Sequence, residues 1–352
     1  MNFQDIFHMP ARTETSAPGR VNLLGEHTDY NDGYVLPIAI PQQTTVQLSL
    51  SPNQQHHFYS QAFTEQVSLR SADPVPQGFA SYPYGCICVL EQQGVSIPLL
   101  NVYITSSVPI GAGLSSSAAL EIAMLRGLRS LLSLDLDDVQ IAQLGQQAER
   151  QYCGVQCGIM DQMAASLGDS KHLLFLDTRT LAYQRLPLPS GTEIIAIDSG
   201  IPRTLVESGY NQRRSECETA AKMMGVKALR DIQNIEAIAQ LPPPLQARSR
   251  HVITENNRVL MARQGISAEQ FGELMNASHT SLRDDYDVSV AGLDILVDIL
   301  QKTKGVFGAK LTGAGFGGGC VALVEVHKGN AIAKQVLRDY NLGGNCGHIL
   351  IA

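Results

Sequence analysis

Apolar and polar residues alternate over 45–50 and again over 102–105, the two-residue period of a half-buried strand. Residues 117–132 and 136–152 space their apolar positions three and four apart, which predicts helices, and the short apolar runs 173–176 and 194–197 predict buried strands. After about residue 186 the pattern turns mainly helical. Helices are predicted over 206–224, 245–263, 268–278 and 293–303, with Gly265 and Gly305 as stop signals and Pro242-Pro243-Pro244 leading into the second. Strands predicted over 320–326 and 348–351 flank a helix over 331–340. Strands and helices thus come in mixed order, without regular strand-helix-strand alternation, which predicts an α+β fold with mixed sheets. The change of character places one boundary, giving domains 1–185 and 186–352.

A chain of 352 residues, 44% hydrophobic and 17% charged, buries a sizeable core without staples. No apolar run approaches membrane-spanning length, and the first residues lack the basic-then-apolar order of a secretory signal, so a cytoplasmic protein without membrane contact is expected. Its seven cysteines are odd in number and sit beside apolar residues, as reduced buried thiols do. Cys153 and Cys157 lack the second pair that a zinc site needs. A net charge of −7 provides no basic face for a nucleic-acid backbone. It leaves room for a phosphate ligand, because backbone amides bind anions without altering formal charge.

Three stretches carry candidate chemistry. In the first, residues 17–33, Arg20, Glu26, His27 and Asp29 crowd among apolar neighbours and glycines. Such groups exchange hydrogen bonds with vicinal sugar hydroxyls, although a charged turn has the same composition. The second, Gly111-Ala112-Gly113-Leu114-Ser115-Ser116-Ser117-Ala118, lies between a predicted strand and helix. Glycines admit close backbone approach and a helix start aims N–H groups outward, so a phosphate cradle is favoured over an ordinary serine-capped helix. It ends in neither the Gly-Lys-Ser/Thr of a Walker A loop nor the spacing of a dinucleotide fingerprint. The third, residues 313–319, holds five glycines in seven positions, a composition that loses much conformational entropy on folding and suits close packing against a ligand or loop.

Together these stretches resemble the three motifs of the GHMP kinases, and the first matches the galactokinase signature nearly residue for residue. Cys157-Gly158-Ile159-Met160-Asp161-Gln162, Glu207-Ser208-Gly209-Tyr210-Asn211-Gln212-Arg213-Arg214, Thr254-Glu255-Asn256 and the segment 271–285 resemble galactokinase segments in the same order. The resemblance implies a two-domain fold with an active site in the inter-domain cleft, and direct transfer of the ATP γ-phosphoryl group to the anomeric hydroxyl of galactose. It implies Asp161 as catalytic base with Arg20 beside it. Glu26 and His27 would meet the 6-hydroxyl, and Asp29, Gly158 and Tyr210 the 3- and 4-hydroxyl side. Gly111, Gly113, Leu114, Ser115, Ser116, Ser117 and Ala118 would hold the ATP phosphates, Tyr82 would lie near the adenine, and Ser117 and Glu149 would bind Mg²⁺. Galactose and ATP are the expected small-molecule partners of an expected monomer.

The sequence departs from the galactokinase pattern in places. Phe79-Ala80-Ser81-Tyr82 stands where galactokinases commonly carry Trp-Ala-Asn-Tyr, Gly209 where they carry Glu, and Val290-Ala291-Gly292 where they carry Cys-Pro-Glu. Relatives on the same scaffold phosphorylate N-acetylgalactosamine, arabinose or uronic acids, and some galactokinase-like sensors have lost the Ser-Ala pair that Ser117-Ala118 preserves here.

Overall fold

The computed structural model describes residues 1–70, 73–202 and 206–352, the side chains of 206–208 excepted, so Glu207 and Ser208 of the signature segments lie outside the described residues. The chain opens with α1 (Phe3–Phe7), β1 (Thr13–Asn22), β2 (Tyr34–Val35), β3 (Pro37–Leu50), β4 (His56–Ser60) and β5 (Glu65–Leu69). It continues through α2 (Ser81–Gln92), β6 (Leu100–Ser106), α3 (Ser116–Leu132), α4 (Asp138–Tyr152) and α5 (Met160–Leu167). Strands β7 (His172–Asp177), β8 (Tyr183–Pro187) and β9 (Thr192–Asp198) precede α6 (Val206–Met223), α7 (Leu245–Ala262), α8 (Ala268–Asp284) and α9 (Ala291–Lys302). The chain closes with β10 (Val306–Leu311), β11 (Gly319–Glu325), α10 (Gly329–Leu342) and β12 (His348–Ile351). The mixed α+β order read from the sequence is the observed one. Helix α8 runs past the predicted stop because Ser281 and Leu282 continue its buried face, and α4 starts two residues late because Asp137 caps it, accepting from the Gln140 N–H at 2.8 Å.

The chain divides into two compact units. The first comprises Met1–Arg20, Ala39–Pro109 and Ser115–Leu167. Its five-stranded sheet has the order β1-β3-β6-β4-β5. Strands β3 and β6 pair antiparallel with Val46 opposite Ile104 and Leu48 opposite Val102, so the alternating apolar residues share the buried face. Helices α2 to α5 pack on one another through fully buried residues such as Ile87, Ile122, Ala142 and Met163.

The second unit comprises Val21–Ile38, Ile110–Leu114 and Gly168–Ala352, so one boundary at 185/186 does not describe the division. Hydrogen bonds explain why 21–38 leaves its sequence neighbours. Thr312 Oγ1 accepts the Asn22 N–H at 2.9 Å, Glu255 that of Gly25 at 2.8 Å and Asn256 that of Tyr34 at 2.8 Å, while β2 pairs with β7. The unit holds a four-stranded sheet, β10-β11-β9-β12, and a three-stranded one, β2-β7-β8. Ile195, Ile197, Ala322 and Val324 face Leu293, Leu296 and Val336 in its core.

Candidate active site

In the first unit, Arg20 lies near the C-terminal end of β1 and Asp161 sits in the first turn of α5. Arg20 donates from Nε to Asp161 Oδ1 at 2.7 Å and from Nη2 to Oδ2 at 2.6 Å, a planar two-point bond of the strong, oriented kind. The guanidinium is 5% exposed and the carboxylate 28%, so only the acid faces outward. Arg126 on α3 braces both carriers, donating to Ser16 O of β1 at 2.7 Å and to Ser166 O of α5 at 2.8 Å.

Ser115, expected at a phosphate, donates its hydroxyl to Asp161 Oδ2. It takes the left-handed conformation, φ 60, immediately before α3 and makes no side-chain cap. This separates the loop from an ordinary serine-capped helix. Gly111 and Gly113 also have positive φ, 80 and 84, and the helical hydrogen bonds begin only where the Ala119 N–H meets Ser115 O at 3.1 Å. Such a turn presents the N–H groups of residues 116–118 at a helix N-terminus, a geometry suited to an anion. Gly158 is buried just ahead of α5, Leu114 is buried in the loop, and Tyr82 lies half-buried in the first turn of α2. Nearby, the Phe79 ring stacks on Phe63 at 5.9 Å.

Behind Asp161, three helices enclose a second polar group. Glu149 of α4 is hydrogen-bonded to Ser117 and Cys157 and accepts from Gln162 Nε2 at 2.6 Å. Burial and then the Asp161 charge push its carboxyl up to about 7, against the pull of those bonds. Gln162 also donates to Glu121 of α3 at 3.0 Å. Ser117 and Glu149 are therefore together; Gln162 stands in the galactokinase-like segment 157–162 with no role read from it, and Glu121 lies in none of the quoted segments.

In the second unit, Glu26 is buried against the equally buried Lys310 of β10 in an ion pair, whereas a charged turn would have left it on the surface. His27 adopts φ 61. Its Nδ1 lies 2.7 Å from the Tyr30 hydroxyl and its Nε2 3.2 Å from Ala314 O, within the third glycine stretch. A carbonyl only accepts, so Nε2 carries the proton, and Tyr30 donates to Nδ1. Burial first, then His251 and nearby cations, lower the His27 pKa to about 3, so the ring is neutral. Tyr286 stands 2.8 Å from the Tyr30 hydroxyl and Cys217 3.1 Å beyond. The Tyr210 ring rests 5.7 Å from His27 and 5.2 Å from Tyr30, and Asp29 begins a short 3₁₀ turn beside it.

Helix α7 holds this loop from beneath. His251 donates from Nε2 to Glu26 O at 3.0 Å, and Glu255 accepts from Gly25 N, Ser278 and Arg258 at 2.8, 2.7 and 2.6 Å. Within the galactokinase-like stretch Thr254-Glu255-Asn256, Glu255 and Asn256 support the loop by accepting from the Gly25 and Tyr34 N–H groups. Gly25 has φ 96, and a Cβ on it would stand 2.5 Å from Tyr34 O, so glycine is required.

The chain matches the family models described as GHMP kinases N terminal domain over residues 81–169, galactokinase galactose-binding signature over 1–50, and GHMP kinases C terminal over 261–342. A galactokinase of Roseiflexus sp. (strain RS-1) is 42% identical over 337 residues, 92% of this chain and 86% of that protein. The crystal structure of Lactococcus lactis galactokinase complexed with galactose superposes with a TM-score of 0.92 at 34% identity, covering 99% of this chain and 95% of that one. Methanococcus jannaschii mevalonate kinase shares the fold at a TM-score of 0.70 and 21% identity, over 96% of this chain and 97% of that one. The chain is a sugar kinase that belongs to the galactokinase family of the GHMP kinases.

Proposed function

We infer that this kinase transfers the γ-phosphoryl group of ATP to the anomeric hydroxyl of galactose, giving galactose 1-phosphate and ADP. The observation that carries the reading is the two-point Arg20–Asp161 pair, whose carboxylate alone is open to a reactant. The galactose-binding signature and the galactokinase relatives support the choice of sugar. As O1 bonds to the γ-phosphorus, its proton passes to Asp161, the bond from phosphorus to the bridging oxygen breaks, and ADP departs. Arg20 keeps Asp161 oriented and offsets charge as it develops. Little covalent work is left to the protein, because phosphoryl transfer depends on positioning and charge.

Glu26, with its charge offset by Lys310, and His27 are assigned to the 6-hydroxyl side. Asp29, Gly158 and Tyr210 take the 3- and 4-hydroxyl side, where a directional polar set rejects a sugar with a misplaced hydroxyl by about 10⁴-fold or more. Gly111, Gly113, Leu114 and residues Ser115 to Ala118 are assigned to the ATP phosphates, and Tyr82 to the adenine. The donor set of Ser117 and Glu149 fits Mg²⁺, which takes hard oxygens and few protein ligands, and a buried carboxyl held up near 7 gains from a cation. When bound, that ion neutralises phosphate charge. All seven cysteines are free, which suits the reducing cytoplasm of this reading, and no helix among the described residues is long and apolar enough to cross a membrane.

The test is ADP release by the purified protein with Mg²⁺ and ATP across galactose, glucose, N-acetylgalactosamine, arabinose, galacturonate and no sugar. Galactose-dependent turnover with glucose inert is expected. Preference for another sugar moves the substrate assignment, and binding of sugar and ATP without turnover with any of them overturns the catalytic reading.

A further inference from the structure

Helices α3, α4 and α5 enclose two carboxyl groups with a single amide between them. Glu121 is wholly buried and Glu149 nearly so. Gln162 spends both amide hydrogens on them, donating to Glu121 Oε2 at 3.0 Å and to Glu149 Oε2 at 2.6 Å. Two acceptors are left over: Glu121 Oε1 and Gln162 Oε1 are both buried without a hydrogen-bond partner among the described residues. Turning the amide over would aim its oxygen at two carboxylates, so this orientation is the better one. A buried acceptor without a donor is costly, and two on one bonded pair of groups ask for a common cause.

One proton supplies it. A carboxylic acid and an amide pair through two bonds, N–H to the acid's carbonyl and O–H to the amide's carbonyl, and the first of these is already in place. We propose that Glu121 is held as the neutral acid, donating from Oε1 to Gln162 Oε1, and that this acid–amide pair is a positioning element that keeps the second Gln162 N–H on Glu149. Both orphan acceptors are then satisfied at once. The surroundings agree: burial first, then the charges of Glu149 from α4 and Asp161 from α5, push the Glu121 carboxyl well above the usual carboxylate range against the Gln162 bond. The thiol of Cys86 from α2 points to the Glu121 backbone oxygen at 3.7 Å and brings no positive charge. Gln162 follows Asp161 directly, so one turn of α5 carries both the proposed base and the brace of the proposed metal carboxylate. The positioning half rests on the assignment of Glu149 to Mg²⁺; the proton on Glu121 does not.

The experiment has two arms on the full chain. Carbon-13 NMR of glutamate-labelled, ligand-free protein is expected to show a protonated carboxyl that persists from about pH 6 to 8 and disappears in Glu121→Gln; no such signal overturns the acid–amide pair. In the second arm Mn²⁺ is the probe, its binding in the presence of ATP read by electron paramagnetic resonance. Glu121→Gln, whose amide closes the same two-bond ring, is expected to keep the affinity within about threefold, while Glu121→Ala and Gln162→Leu weaken it by about 10- to 100-fold. Loss in Glu121→Gln equal to that in Gln162→Leu would show that charge, not the proton, matters, and sinks the proposal even if Glu121→Ala fails to fold. Affinity unchanged in Glu149→Ala overturns the ion assignment and the positioning half with it, while the carboxyl signal decides the acid–amide pair separately.

Discussion

Arg20 grips Asp161 at two points, 2.7 and 2.6 Å, and Ser115 adds a third donor to the same carboxylate. Asp161 is thereby held in one orientation by a buried cation that has little room to move. Asp161→Ala is expected to leave galactose and ATP binding near normal by calorimetry and to reduce turnover by at least about 10²-fold. Arg20→Lys keeps the charge but loses the fork, so it should also reduce turnover; full activity in Arg20→Lys would remove the two-point geometry from the mechanism.

The His27 ring is tied at both nitrogens, to Tyr30 and to Ala314. Tyr30→Phe removes the donor to Nδ1 and leaves a buried acceptor unmet, a loss worth about 1–3 kcal/mol. We expect KM for galactose to rise by about tenfold or somewhat more, with KM for ATP unchanged. An equal rise for both substrates would mean a general loss of structure.

Gly209, one of the positions where the sequence departs from the galactokinase pattern, packs against the Phe316 ring. A Cβ at 209 would stand 2.6 Å from the Phe316 ring, and that ring is fixed by a left-handed backbone, φ 59, and by an N–H bonded to Val288 O at 2.7 Å. Gly209→Ala should destabilise the protein by about 1–3 kcal/mol despite better helix propensity. In a Phe316→Leu background the same change should cost little, which a double-mutant cycle of melting temperatures would show.

Stability should fall on the acid side earlier than carboxylates alone dictate. Burial first, with neighbouring cations, lowers His27 to about 3; burial lowers His251 to about 4 in spite of Glu255. Unfolded histidines take protons as pH drops through about 6.5 while these do not, so stability is lost from there downward, by about 2 kcal/mol per histidine at pH 5. Glu255 adds a second window. Burial would raise it, but Arg258, His251 and Lys310 bring it down to about 2, so its contribution disappears between about pH 4.5 and 2. Urea unfolding at pH 7, 6 and 5 tests the first window; equal stability at all three would contradict buried neutral histidines.

By itself the amino-acid sequence determined the elements whose periodicity is local, such as β3, α3 and α9, and the positions of the three glycine-bearing stretches. Chain spacing and residue chemistry are enough for those, since strand period, helix period and positive-φ turns are decided by neighbours. Tertiary structure alone decided that residues 21–38 pack with the C-terminal half, because the bonds that take them there come from Glu255, Asn256 and Thr312, more than two hundred positions away. It also decided partnerships. Glu26 with Lys310, Ser115 with Asp161, and Gln162 between Glu121 and Glu149 join side chains from different elements, and a linear pattern carries no register between elements. The same carboxylate is a solvated charge on one packing and a buried acid on another. Only the packing sets how much water each group loses and which partner replaces it.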